Sequence, residues 1–201
     1  MTAYASDFRE VTFKATDGGM VFANLYGAGD HAVVLAHGAV FDKESWSVQA
    51  ERLASNGLQV LAIDFRGYGK SKGGNGGGLW SDVLGAVRYL KLAGAKQVSV
   101  VGGSMGGGAS AEAAVRSDPG EIDRLILLAH APIQNPRDLK GRKLFIVSEG
   151  DGLVSSVKSQ HKAAPEPKKL VILPGNAHAQ HIFKTSQSEI LMKAIIDWLT
   201  S

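Results

Sequence analysis

Short apolar runs alternate along this chain with longer segments in which apolar residues recur at helical spacing. Such runs are typical of strands that are buried on both faces of a parallel sheet. They span residues 32–36, 58–63, 98–101, 122–129, 143–148 and 169–173. The helical segments span about 42–56, 80–90, 105–117, 154–163 and 186–199. Buried strands that alternate with amphipathic helices predict an α/β fold with a doubly wound, mostly parallel sheet.

The N-terminal part has a different, alternating pattern. Residues 8–15 alternate apolar and polar side chains, and 20–26 form a second such segment after a turn at 16–19. These segments predict an antiparallel hairpin that precedes the parallel strands. Farther along, Ser186 and Glu189 match a capping box, which predicts that the last helix begins at this point.

The composition fits a single globular domain, residues 1–201, with 44% hydrophobic and 20% charged residues. The chain has no cysteine, which excludes disulfides and a cysteine nucleophile. The net charge is +3, and the lysines of the last third lack interleaved aromatic residues, so we expect no nucleic-acid partner. No apolar run is long enough to span a membrane, and residues 1–10 carry charges where a signal segment would be apolar. We therefore expect a cytoplasmic protein without a membrane partner.

One strand leads directly into a turn with a serine at its centre, Gly102-Gly103-Ser104-Met105-Gly106. This G-x-S-x-G pattern is typical of a sharp strand–turn–helix elbow that raises the serine hydroxyl above the sheet. Glycines two residues before and after the serine are needed because side chains there would collide. The hydroxyl would lie at a helix N-terminus, which favours developing negative charge. A glycine-rich turn without catalytic function is the alternative, so a base and an acid must be found elsewhere.

A serine nucleophile needs a base, and the base needs a carboxylate that orients it. His178 and His181 both follow the last predicted strand, and we favour His178 because its loop comes directly after the strand end and can reach Ser104. For the acid we favour Asp151 over Glu149, because it lies farther beyond its strand, in a turn that can direct it toward the histidine loop. The His178-x-x-His181 pair has no strong third ligand nearby, so we expect no metal site.

The order serine, aspartate, histidine is the order found in α/β-hydrolases. The chain resembles that superfamily over nearly its whole length, in H-G-A at 37–39, D-F-R-G-Y-G-K-S at 64–71, G-G-S-M-G-G at 102–107, E-G-D-G-L-V at 149–154 and P-G-N-A-H at 174–178. The resemblance implies an oxyanion hole formed by the backbone N–H groups of Ala39 and Met105. It also implies that Asp64 and Arg66 hold the loops together. We expect a structural hydrogen bond, and no catalytic role, for His37.

Many members of the superfamily carry a helical cap after the strand that ends here at Ala129. Only residues 130–142, which include two prolines, separate this strand from the next, so we expect no cap and a shallow, open pocket. This arrangement resembles small esterases and dienelactone-hydrolase-like proteins. The predicted substrate-binding residues are Val40, Phe41, His130, Ile133 and Leu153. The glycine-rich segment 73–78 is a predicted mobile loop beside the site.

These expectations combine into one hypothesis, a serine hydrolase that cleaves small-molecule carboxylic esters without a cofactor. An open pocket buries little of a long chain, which predicts a preference for acyl groups of about two to four carbons. A non-hydrolytic small-molecule or protein-binding module on the same fold is one alternative, and a perhydrolase or peptidase with the same triad is another. Sequence motifs do not separate these alternatives, because one fold supports many functions.

Overall fold

A computed structural model describes residues 8–201 and shows an eight-stranded sheet. The strands are β1 (Phe8–Lys14), β2 (Met20–Tyr26), β3 (His31–Ala36), β4 (Gln59–Ile63), β5 (Gln97–Gly103), β6 (Arg124–Leu128), β7 (Arg142–Ser148) and β8 (Lys168–Leu173). The α-helices are α1 (Ser47–Ala54), α2 (Trp80–Leu92), α3 (Met105–Arg116), α4 (Val154–Ala163) and α5 (Ser188–Thr200). Short 3₁₀ helices span Lys43–Trp46, Pro136–Asp138 and Ala179–Lys184. Every predicted strand is present, with its ends within about two residues of the expected positions.

The strands lie in the order β1-β2-β4-β3-β5-β6-β7-β8. The predicted hairpin of β1 and β2 is confirmed, β2 is also antiparallel to β4, and the remaining neighbours are parallel. The strand order reverses at β3, which has β4 on one side and β5 on the other. In open α/β sheets, ligands bind at the carboxyl ends of the strands beside such a switch point. The loops that follow β3 and β5 therefore meet where chemistry is expected.

The central strands form the core of the molecule. β3, β5 and β6 are buried over almost their whole length. Because successive side chains of a strand point to opposite faces, this burial requires that helices cover both faces of the sheet. α3 packs against β5 and β6, and α2 packs against α3. The doubly wound, mostly parallel arrangement predicted from the sequence is confirmed.

The last helix begins later than the capping box predicts. α5 starts at Ser188 after Gln187, and no side chain caps it, so the prediction of a box formed by Ser186 and Glu189 is wrong. Glu189 accepts two hydrogen bonds, at 2.7 and 2.8 Å, from the guanidinium of Arg52 on α1. The carboxylate that the local pattern assigns to the helix start is bound by a residue far away in the sequence.

A loop of residues 129–141 connects β6 to β7, and the single 3₁₀ turn Pro136–Asp138 is its regular structure. The described residues thus contain no helical cap, in agreement with the sequence prediction. Within the same part of the chain, no helix has the length and apolar character needed to span a membrane. Loops, and not a cap, cover the carboxyl ends of the central strands.

Candidate active site

Ser104 stands between β5 and α3 with a φ of +51°, a conformation that non-glycine residues seldom adopt. Gly102 and Gly106 allow it, because a Cβ on Gly106 would collide with the carbonyl oxygens of residues 36 and 37, and one on Gly102 with the Gly106 backbone. The turn is held by two backbone hydrogen bonds of 2.9 Å, from the Ser104 N–H to the Leu128 carbonyl and from the Ala131 N–H to the Ser104 carbonyl. The backbone therefore fixes the serine in a strained position at the start of a helix.

The structure brings Ser104, His178 and Asp151 together, as the sequence predicts. His178 Nε2 lies 2.8 Å from Ser104 Oγ, and His178 Nδ1 lies 2.7 Å from Asp151 Oδ2. An ionised carboxylate only accepts hydrogen bonds, so Nδ1 carries the proton and Nε2 is free to accept the serine proton. His181 and Glu149 stay outside this chain of contacts, since the His181 ring packs on Phe41 and the Glu149 side chain is exposed.

The carboxylate and the imidazole differ in exposure. The Asp151 side chain is 1% exposed, and its second oxygen accepts a 2.7 Å hydrogen bond from the Leu153 N–H. The His178 side chain is 40% exposed, so part of it reaches solvent while Nδ1 is anchored by the Asp151 carboxylate. A buried carboxylate that accepts two hydrogen bonds fixes both the tautomer and the orientation of the imidazole, which is the arrangement that a general base requires.

The loop that carries His178 is tied to the end of β7. The Ser148 hydroxyl donates to the Ala177 carbonyl at 2.6 Å, and the Gly150 N–H donates to the Gly175 carbonyl at 2.9 Å. Directly after the histidine, Ala179 has a φ of +47°, which turns the chain back toward the sheet. The histidine loop is therefore a fixed part of the site.

The turn after β3 holds the Gly38–Ala39 peptide in one orientation. The Gly38 carbonyl accepts hydrogen bonds from His37 Nδ1 at 2.9 Å and from the Phe41 N–H at 3.0 Å. In a trans peptide the N–H points opposite to the carbonyl, so the Ala39 N–H faces away from both donors. It has no acceptor among residues 8–201. Met105 is the first residue of α3, where helix N–H groups have no partner within the helix. The N–H groups of Ala39 and Met105 are therefore both free to donate a hydrogen bond, as an oxyanion hole requires.

His37 is buried and acts as a structural element of this turn. Its Nδ1 donates to the Gly38 carbonyl, and its Nε2 accepts a 3.2 Å hydrogen bond from the Phe65 N–H. Burial lowers the pKa of His37 below its ordinary value, which favours the neutral ring that these two bonds require. The two hydrogen bonds of His37 agree with the expectation that this residue has a structural role.

Asp64 and Arg66 make ion pairs beside the site. Lys43 Nζ lies 2.9 Å from Asp64 Oδ2, and both side chains are buried. Arg66 bridges two carboxylates, with contacts of 3.0 Å to Asp82 Oδ1 and 2.8 Å to Asp17 Oδ1. The hydrogen bonds from Arg66 hold the pKa of Asp17 well below its ordinary value. We call Arg66, Asp17 and Asp82 the ionic cluster, and its contacts fit the expected role of Arg66 in holding loops together.

A cavity of about 380 Å³ opens beside Ser104. Its walls are mostly apolar and are formed by Leu79, Trp80, Met105, Gly108, Ala109, Glu112, Ala131, Pro132 and Ile133. Trp80 is fixed at this wall because the guanidinium of Arg116 stacks over its ring at 4.6 Å and Gly78 lies against its edge. The site therefore combines a serine, a histidine ring in contact with its hydroxyl and an apolar space for part of a ligand.

Residues 31–182 match a family model described as alpha/beta hydrolase fold. The chain is an α/β-hydrolase. Among curated proteins, an uncharacterized protein of Mycobacterium tuberculosis is 27% identical over a matched region that covers 85% of this chain and 72% of that protein. A non-heme chloroperoxidase of Streptomyces lividans is 31% identical over 126 residues, which cover 60% of this chain and 45% of that protein.

Solved structures of small α/β-hydrolases share the fold. The esterase Pf2001 of Pyrococcus furiosus matches with a TM-score of 0.83 at 19% identity, over 96% of this chain and 92% of that chain. Dienelactone hydrolase from Anabaena variabilis matches with a TM-score of 0.78 at 20% identity, over 96% of this chain and 97% of that chain. The expected resemblance to small esterases and dienelactone-hydrolase-like proteins is confirmed at the level of the fold.

In this α/β-hydrolase, one of the five predicted substrate-binding residues, Ile133, lines the cavity at Ser104. Val40 is 79% exposed at the outer end of its turn. Phe41 lines a separate groove of about 460 Å³. Leu153 is half-buried, and its N–H binds the aspartate carboxylate. The cavity at Ser104 is thus formed mainly by α2, α3 and the segment after β6.

His130 lies beneath the elbow and not on the cavity wall. Ala129 has a φ of +40°, and the His130 side chain that follows packs against Gly107 and is 0% exposed. Its Nε2 lies 3.2 Å from Gln160 Oε1. Burial lowers the pKa of His130 to about 4, so the ring is neutral at neutral pH. This geometry gives His130 a structural position.

Two residues near the site were not singled out from the sequence. Trp80 recurs with the apolar residues of α2 and looks like an ordinary core position. Gln180 is a polar residue in the segment after His178 and belongs to none of the family motifs. Its side chain is buried and contacts the turn after β3. The location of Trp80 and Gln180 near the site can be recognised only from the folded structure, which brings distant segments of the chain together.

Proposed function

We propose that this α/β-hydrolase is a serine hydrolase of carboxylic esters, with Ser104 as nucleophile, His178 as base and Asp151 as orienting acid. The observation that supports the proposal most strongly is the unbroken chain of contacts from Asp151 through His178 to Ser104, which ends at an apolar cavity. A serine hydroxyl is a weak nucleophile unless a base accepts its proton, and the contact of His178 Nε2 with Ser104 Oγ supports His178 as that base.

In the first half-reaction, Ser104 Oγ attacks the ester carbonyl carbon as His178 Nε2 accepts its proton. The carbonyl electron pair moves to oxygen, and the oxyanion accepts hydrogen bonds from the Ala39 and Met105 N–H groups. One such donor contributes roughly 3–4 kcal/mol in a comparable enzyme. Cleavage of the bond to the leaving alkoxide follows, and the imidazolium gives it the proton, so the alcohol departs and the acyl group stays on Ser104.

In the second half-reaction, a water molecule loses its proton to His178 Nε2 and attacks the acyl carbon. The tetrahedral intermediate breaks its bond to Ser104 Oγ, which recovers the proton from the imidazolium. The products are the free carboxylic acid and the unchanged enzyme. Asp151 stabilises the imidazolium in both halves because its buried carboxylate lies 2.7 Å from Nδ1.

The cavity supports small acyl groups as the substrate class. Each buried methylene contributes about 0.8 kcal/mol only where a wall receives it. Trp80 and Ile133 supply such walls close to Ser104, and beyond them the loop of residues 129–141 adds no cap. We expect kcat/KM to be highest for acyl chains of about two to four carbons and to fall for longer chains.

A second candidate is perhydrolysis, which the match to a non-heme chloroperoxidase favours. Hydrogen peroxide would take the place of water and attack the acyl group on Ser104. The bond to Oγ would break and a peracid would leave, with the proton passing through His178 as before. Both reactions use the same residues, so they differ only in the nucleophile of the second half-reaction.

The test is turnover of p-nitrophenyl esters from acetate to palmitate by the wild type and by Ser104→Ala. The proposal predicts wild-type turnover that the substitution lowers by several orders of magnitude while the melting temperature is unchanged. Equal rates for the two proteins would contradict the proposal and favour a binding module. Measurement of peracid and acid in water with added hydrogen peroxide separates the two candidate reactions.

A further inference from the structure

The side chain of Gln180 bridges the histidine loop and the turn that carries Ala39. It is 5% exposed and comes two residues after His178. Its Oε1 accepts a 2.7 Å hydrogen bond from the Gly38 N–H, and its Nε2 donates a 2.9 Å hydrogen bond to Ser45 Oγ. One buried amide therefore connects the segment of the proposed base to the segment of a proposed oxyanion donor.

The orientation of this amide is determined by its neighbours. The Ser45 hydroxyl donates to the Asp42 carbonyl, so the Ser45 oxygen accepts from Gln180. The Gly38 N–H can only donate, so the Gln180 oxygen must face it. With both ends satisfied in one arrangement, the amide holds Gly38 at a defined position.

The position of Gly38 controls the direction of the Ala39 N–H. The peptide before Gly38 is held by Gln180, and the peptide after it is held through the Gly38 carbonyl by His37 and Phe41. Without Gln180 the buried Gly38 N–H would lose its acceptor, and the turn would have to move to find another. That movement would rotate the adjoining peptide, which carries the Ala39 donor.

We propose that Gln180 is a positioning residue that sets the oxyanion hole of this enzyme from the histidine loop. The proposal rests on the proposed serine hydrolase function. Ala179, with its φ of +47°, turns the chain so that the residue after it reaches Gly38. Correct placement of the loop therefore places the base and orients the oxyanion donor together. A donor displaced by a fraction of an ångström binds the substrate carbonyl about as well but stabilises the transition state less.

The test uses Gln180→Met, which keeps the side-chain length and removes both hydrogen bonds. We expect kcat for p-nitrophenyl butyrate to fall roughly tenfold, less than the loss of a whole donor, with KM within about twofold. The inhibition constant of an alkyl trifluoromethyl ketone, whose adduct carries an oxyanion, should rise by the same factor by which kcat/KM falls. Ser45→Ala leaves the Gly38 bond in place and should give a smaller loss of kcat.

The matched control is Ser99→Ala, which removes a partly buried 2.8 Å hydrogen bond between the buried Ser99 and His31, toward the opposite end of β5 from Ser104. Ser99→Ala should lower the melting temperature about as much as Gln180→Met does, but it should leave kcat unchanged. Loss of kcat in both variants, a rise of KM alone, or unchanged kcat in Gln180→Met would each overturn the inference.

Hydrogen–deuterium exchange across residues 37–45 should rise in Gln180→Met and not in Ser99→Ala, a readout independent of the substrate. If the wild type hydrolyses no ester, the proposed function fails; if it does and the variants do not differ, this inference fails.

Discussion

Two clusters of charged and polar side chains lie at the same edge of the sheet, and their contacts differ. In the ionic cluster, Arg66 binds the carboxylates of Asp17 and Asp82, so every charge has an opposite charge beside it. In the chain of Asp151, His178 and Ser104, the contacts end at a hydroxyl that faces a cavity. The charged groups of the ionic cluster are all bound within that cluster, whereas the second cluster leaves the Ser104 hydroxyl facing the cavity.

The difference shows why similar residue types suggest different roles. Arg66 and Asp82 are 15% and 0% exposed in their side chains, whereas the His178 side chain is 40% exposed. Ser104 also has a strained backbone conformation, which its neighbours hold in place. A strained backbone, exposure to solvent and a hydroxyl that faces a cavity together favour a chemical role for Ser104, His178 and Asp151. Charged groups that are all paired with one another favour a structural role. Each prediction below tests one side of this comparison.

The largest effect is expected for Asp151→Asn. The amide would no longer stabilise the imidazolium and would favour the wrong tautomer, so kcat should fall by roughly 10⁴, as in a comparable triad. Glu149→Gln is the matched control, because Glu149 is exposed and lies two residues away. Steady-state kinetics on a p-nitrophenyl ester measure both. A large loss in Glu149→Gln with little change in Asp151→Asn would move the acid to Glu149.

For the ionic cluster the expected loss is in stability. Arg66→Met leaves the carboxylates of Asp17 and Asp82 without their cation, and breaking this partly buried cluster should cost up to about 3–5 kcal/mol, the loss for a buried pair. Arg88→Met is the control, because the Arg88–Glu121 pair is more exposed and contributes about 0.2–1 kcal/mol. Denaturant unfolding measures both free energies. Equal losses would remove the distinction between a buried cluster and a surface pair.

His130 gives a pH-dependent prediction for a histidine that lies near the site but is closed off from it. Its pKa is lowered from 6.5 to about 4 in the folded protein, so the unfolded chain takes up a proton first as the pH falls. Stability is therefore full above pH 6.5 and is lost as the pH falls toward 4, by roughly 3 kcal/mol. His130→Asn should reduce this pH dependence, measured as the unfolding free energy between pH 7 and 4. A flat wild-type profile would contradict the prediction.

The smallest effect concerns the cavity wall. Trp80→Ala should extend the space beside Ser104 and move the acyl-chain optimum to longer esters, because each further buried methylene is worth about 0.8 kcal/mol, or roughly fourfold in kcat/KM. The control is Trp198→Ala, since Trp198 on α5 also carries a stacked arginine, Arg142, but does not line the cavity at Ser104. An acyl-length series on all three proteins decides the question. An unchanged optimum in Trp80→Ala would mean that the acyl chain lies elsewhere.

Much of the fold could be predicted because its signals are local. Buried parallel strands are nearly continuous apolar runs, so their positions can be seen in the sequence without knowledge of their partners. A local signal also marks the start of the 3₁₀ helix Lys43–Trp46, since the side chain of the preceding Asp42 accepts a hydrogen bond from the N–H of Ser45, three residues on. Glu189 shows the limit: its pattern was that of a capping box, but Arg52 binds its carboxylate.

The site divides in the same way. Ser104 lies directly after its strand, and Asp151 and His178 lie a few residues after theirs, in motifs that predict their types and their order. Trp80 and Gln180 have no such signal, because their positions at the site depend on contacts with segments far along the chain. The sequence also shows which residue follows a strand but not which way its side chain points, and His130 points inward after the turn at Ala129.

The central claim is that Ser104 is an activated nucleophile, and labelling with a fluorophosphonate tests it most directly. The serine oxygen would attack phosphorus and displace fluoride, which leaves a stable adduct whose position tandem mass spectrometry can identify. The account predicts one adduct, on Ser104, with a labelling rate that falls by several orders of magnitude in His178→Ala because the base is lost. An unlabelled wild type, an adduct on another residue, or equal labelling of His178→Ala would contradict it.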